Sequence, residues 1–185
     1  MCFRFRKYAD ILCDGNILQA LPVFKFMKAA SISEIKNELG NLPKTRLAAL
    51  CLQLAKYKKD NKELLTYLLF EENDLNAYIA NVKEQMDEQF TEINKSNLYF
   101  TKKSLRKILR TTGKYIRYTG SKQVEVELLL YFCGALVNSS IPIRRNTVLT
   151  NLYESQVKKI GTLIATLHED LQYDYLKDLK SLRNV

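Results

Sequence analysis

Residues 122–138 read KQVEVELLLYFCGALVN. After the polar start at Lys122 and Gln123 the run Leu128, Leu129, Leu130, Tyr131, Phe132, Cys133 and, past Gly134, Ala135, Leu136 and Val137 is apolar on every side. A helix apolar all round is either buried among other helices or embedded in a membrane, and about ten such residues fall well short of the roughly 20 a membrane span needs. The stretch therefore predicts the central helix of an all-α domain. Val124, Glu125, Val126 and Glu127 alternate as a strand would, but no other segment offers a partner strand.

The segments around it have helical spacing. Ser31 and Glu34 stand at capping-box distance before Ile32, Ile35 and Leu39, and Gly40 stops that pattern. Pro43 suits the first position of a second helix with Leu47, Leu50, Cys51, Leu54 and Ala55 on one face. Asp60 or Asn61 is placed to cap a third, carrying Leu64, Leu65, Leu68 and Leu69. Leu75, Ile79, Val82, Met86, Phe90 and Ile93 mark a long fourth helix, and a basic helix follows over residues 101–118. Beyond Pro142 one continuous pattern runs from Val148 to Leu171. The sum is an antiparallel array of about seven helices, arranged as a bundle or as a short HEAT-like α-α superhelix. Gly113 and Gly134 fall inside helices, where each costs about 1 kcal/mol relative to alanine and marks a point for a kink.

Residues 1–26 lack a sustained period and are broken by Gly15 and Pro22. They do not form a signal peptide, because Asp10 and Asp14 interrupt the apolar core one requires. They read either as a dispensable extension or as an irregular arm or short helix packed on the domain, with residues 27–185 as a single all-helical domain.

The segments LPKTRLAALCLQLAKYKKDNKELLTYLLF from Leu42, SNLYFTKKSLRKILR from Ser96, SKQVEVELLLYFC from Ser121 and TLHEDLQYDY from Thr166 resemble a family of short, uncharacterised, all-helical bacterial proteins. The likeness spans about residues 30–179. It implies an all-helical cytoplasmic protein, and no activity, cofactor or binding residue.

Charge is segregated along the chain. The net value of +9 includes −5 over residues 61–95 and +8 over residues 96–145. On a helix, Lys103, Arg106, Lys107, Arg110, Lys114 and Arg117 form one stripe opposite Leu105, Ile108, Leu109, Thr112 and Ile116. Six cations with no acid among them suit a polyanion such as nucleic acid, with Tyr115 and Tyr118 beside them to stack on bases. The alternatives are a solvated face, one paired with Glu84, Asp87, Glu88 and Glu92 of the preceding helix, or one held against an anionic membrane surface. Leu171, Tyr175, Leu179 and Leu182 continue an apolar stripe toward the C-terminus, a candidate interface for a partner or a second copy.

Signs of catalysis are sparse. GxSxG, GxGxxG and the P-loop pattern are absent, and His168 is the sole histidine, beside Glu169 and Asp170. A structural or solvent-facing role suits it better than acid-base work. Glu125 and Glu127 enter the most apolar helix and are read as ion-pair partners of Arg144 or Arg145. The four cysteines, Cys2, Cys13, Cys51 and Cys133, show no zinc or redox spacing, which points to a reducing cytoplasm. No catalytic residue, metal or cofactor is expected. The leading expectation is a non-enzymatic cytoplasmic interaction module acting through a protein partner. The alternative is a nucleic-acid-binding accessory protein using the basic stripe.

A chain begun at Met27 is expected to melt within a few degrees of the full chain, since residues 1–26 carry no continuous apolar face. Differential scanning calorimetry of the two chains checks this, and a large loss of stability contradicts it.

Overall fold

A computed structural model describes residues 28–183; the proposed extension lies outside them. The described residues divide between Ala48 and Ala49 into two compact units. The described residues form eight α-helices and no strand: α1 (Ile32–Gly40), α2 (Lys44–Tyr57), α3 (Lys59–Thr66), α4 (Leu75–Thr91), α5 (Leu98–Thr119), α6 (Lys122–Asn138), α7 (Thr147–Ile164) and α8 (Glu169–Arg183). A π-helical turn, Tyr67–Glu71, follows α3, and a 3-10 turn, Ile143–Arg145, precedes α7.

Local chemistry sets the boundaries. In the first unit the capping box is complete: Ser31 Oγ accepts from the Glu34 amide, and the Glu34 carboxylate accepts from the Ser31 amide at 2.7 Å. Pro43 stands just outside α2, its carbonyl accepting from Arg46 and Leu47. In the second unit Asp74, Asn97, Ser121 and Asn146 cap α4, α5, α6 and α7 with their side chains. The third helix differs from expectation: Lys58 occupies its cap position without a side-chain bond, and the Asn61 amide instead donates back to the Leu54 carbonyl at 2.9 Å. Gly120 ends α5 at φ 61°, in the left-handed region where a Cβ is strained.

The helix read as central is central. Val124, Val126, Leu128, Leu129, Phe132, Cys133 and Leu136 are buried, covering about 200° of arc at 100° per residue. Leu130, Tyr131, Gly134 and Val137 on the remaining side are half-buried. Helices α4, α5, α7 and α8 all pack on α6. The principal contacts join helices one or two apart in sequence, so α4, α6 and α8 form one row and α5 and α7 pack against it.

The long C-terminal pattern divides into two helices, α7 and α8, at residues 165–168. His168 lies in this turn, its carbonyl accepting from Leu171 and Gln172 at the start of α8. Leu163, Leu167 and Leu171 keep apolar spacing through the break, and no Gly or Pro marks it. The apolar face expected on α2 is only partly covered: Leu47, Leu50 and Ala55 are half-buried, whereas Cys51 and Leu54 are exposed.

Two tests follow from this packing. Leu129→Asp places an unpaired charge where 3% of the residue reaches solvent; a cost of several kcal/mol is expected, giving an unfolded or insoluble chain by circular dichroism. At Gly113 and Gly134 an added Cβ meets nothing within 4 Å, so each Gly→Ala is expected to stabilise by about 0.5–1 kcal/mol, a rise of roughly 1–4 °C in Tm.

Candidate nucleic-acid interface

Helix α5 is amphipathic in register with the core. Thr101, Leu105, Ile108, Thr112 and Ile116 are buried, and the Thr101 hydroxyl donates to the Asn94 carbonyl at 2.9 Å, so this threonine is not an orphaned polar group. The flank toward α4 is fixed by two tyrosines. Tyr78 Oη donates to the Tyr115 carbonyl at 3.1 Å, and Tyr115 Oη donates to Gln85 Oε1 at 3.0 Å. The cationic stripe lies about 130° around the helix from Tyr115, facing away from α4.

Lys103, Arg106, Lys107, Arg110 and Arg117 are exposed, and none forms an ion pair among the described residues. Pairing with the acidic helix is therefore absent among them. Of the acids on α4 and at its C-terminal cap, Asp87 accepts from the Tyr131 hydroxyl on α6, and Glu84, Glu88 and Glu92 are exposed. Lys114 is the exception within the stripe. Its Nζ lies 2.5 Å from Glu63 and 3.5 Å from Asp60, both on α3, and Tyr118 Oη donates to Glu63 Oε2 at 3.1 Å. The hydrogen bond from Lys114 holds the Glu63 carboxyl below its usual range, and the same bond raises Lys114. Burial, then the bond to Glu63, pushes Tyr118 up to about 12. Lys114, Tyr115 and Tyr118 thus hold α5 to its neighbours rather than facing a ligand.

Because α5 begins at Leu98 rather than near residue 101, three more residues join it. Tyr99 falls within about 30° of the stripe's centre line, four residues before Lys103. It is 62% exposed, and its ring meets Phe100 edge-on at 5.5 Å between centroids. The available aromatic of this face is Tyr99, which the sequence reading passed over. The signal was Asn97, a cap residue whose side chain accepts from the Tyr99 amide at 2.9 Å.

Leu179 is buried, and Tyr175 and Leu182 are half-buried against the core; Leu171 is half-buried. Leu179 thus packs inward, while Leu171, Tyr175 and Leu182 remain partly open to solvent. Leu179 does so because α8 folds back on α6 and α7, with Tyr153 Oη donating to the Leu182 carbonyl at 2.8 Å. Glu125 pairs with Lys159 and Glu127 with Lys83, both at 2.6 Å, in place of Arg144 and Arg145. His168 Nδ1 lies 3.3 Å from Asp170, with both side chains in solvent. Cys133 is buried, its thiol pushed up to about 12, and Cys51 is exposed. Among the described residues no His, Cys, Asp or Glu cluster is arranged to hold a metal, and no helix is long and apolar enough to cross a membrane.

No known family model, curated protein or solved structure matches this chain.

The Lys114–Glu63–Tyr118 cluster generates a pH prediction. Glu63 titrates below the usual 4.5 in the folded chain, so its contribution is present above pH 4.5 and is lost as pH falls through the lowered value. Glu63→Gln is expected to cost about 0.5–1 kcal/mol at pH 7 in urea melts, with the difference from the parent shrinking as pH falls below 4.5.

Proposed function

We propose that α5 binds the phosphate backbone of nucleic acid through Lys103, Arg106, Lys107, Arg110 and Arg117. One observation carries this reading: five cations stand along one exposed helix face with no carboxylate partner among the described residues. Lone cations on a surface are ordinary. Five in register over about 21 Å form a line of positive potential that can follow several phosphates. Phosphates carry no sequence information, so binding is expected to be strongly salt-dependent and weakly sequence-dependent. The singly placed cysteines are consistent with a reducing cytoplasm as the setting.

A second reading, a module for protein contacts, has its own support. The π-helical turn buries Tyr67 against Tyr78, at 4.7 Å between ring centroids, and leaves Leu68, Leu69 and Phe70 exposed. Leu69 and Phe70, with Leu52 and Tyr57, border an apolar cleft rimmed by Lys56, Lys58, Lys59 and Lys62. Such a surface suits a partner with apolar and acidic groups.

Binding of mixed-sequence oligonucleotides across a salt series tests the first reading. Five engaged cations give a log–log slope of about −4.5 on duplex DNA or about −3.5 on single strands. Replacing Lys103, Arg106 and Arg110 together by glutamine is expected to flatten the slope by two to three units with Tm unchanged. Lys114→Gln is expected to do the reverse, lowering Tm while barely moving the slope. Absence of binding at about 100 mM salt contradicts the proposal.

A further inference from the structure

We infer that the nucleic acid this face takes is single-stranded, with Tyr99 as the platform on which an unpaired base stacks; the inference rests on the phosphate-binding reading above. Tyr99 shares the cationic line with Lys103, Arg106, Arg110 and Arg117 and is more exposed than its neighbours Leu98, at 44%, and Phe100, at 48%. The edge-on contact with Phe100 restricts its ring, so little side-chain freedom remains to be lost on stacking. In a duplex the base faces are covered by their neighbours, and an aromatic standing among phosphate-binding cations finds only backbone. In a single strand each base offers a free face while its phosphate remains within reach of the next cation. Charge complementarity supplies the register, and the exposed ring selects the strandedness. Tyr115 and Tyr118 do not compete for this role, because their hydroxyls are held by Gln85 and Glu63.

The test compares a labelled 15-nucleotide single strand with its duplex by fluorescence anisotropy at low salt, alongside vesicles of phosphatidylserine and phosphatidylcholine. The single strand is expected to bind at least tenfold tighter than the duplex. Tyr99→Ala is expected to weaken single-strand binding about tenfold, with the salt slope, duplex affinity and Tm unchanged, and Tyr99→Phe to restore it. Equal binding of both nucleic acids, or indifference to Tyr99→Ala, overturns the inference and leaves the phosphate-binding reading intact. If neither nucleic acid binds, that reading fails and takes the inference with it. Tight binding to the anionic vesicles alone overturns both in favour of a lipid surface.

Discussion

The burial of α6 is the constraint on which the other helices of the second unit depend. A helix with buried residues over about 200° of its circumference must be enclosed from several directions, and α4, α5, α7 and α8 supply that enclosure. Each gives α6 one apolar face and keeps the opposite one. For α5 the inward face is fixed by Leu105, Ile108 and Ile116, so the outward face, with its cations, is fixed as well. The exposed cationic surface follows from the packing of the core.

Magnitudes explain why the cations are not hidden against the acidic helix. Turning α5 far enough to bring its stripe onto α4 would expose three large aliphatic side chains, at about 1.5–3 kcal/mol each. The ion pairs gained would be solvent-exposed, worth about 0–1 kcal/mol apiece. Hydrophobic register wins by several kcal/mol. Electrostatics then acts only where geometry already permits it, as at Lys114, which the packing of α3 beside α5 brings to Glu63.

What the sequence revealed divides along the same line. The apolar run of α6 and the 3-and-4 spacing of α4 were legible because periodicity records which face is buried. So was the amphipathic division of α5. The break between α7 and α8 was not, since Leu163, Leu167 and Leu171 keep their spacing across a turn without Gly or Pro. Nor were ion-pair partners: Glu125 and Glu127 were recognised as pairing residues, but whether Lys159, Lys83 or an arginine reached them depends on tertiary placement. The inward turn of Leu179 was hidden for the same reason, as an apolar stripe has one appearance whether it covers a core or awaits a partner. Tyr99 was missed through a boundary error of three residues, which on a helix is enough to change the membership of a face.

The central claim is that the outward face of α5 is the binding surface of this protein. A titration of the isotopically labelled chain with an oligonucleotide, followed by amide chemical shifts, tests it most directly. The account predicts perturbations concentrated on Tyr99, Lys103, Arg106, Lys107, Arg110 and Arg117, with the amides of α7 and α8 undisturbed. Perturbations centred on the α2–α3 cleft instead, or none at moderate salt, would contradict it.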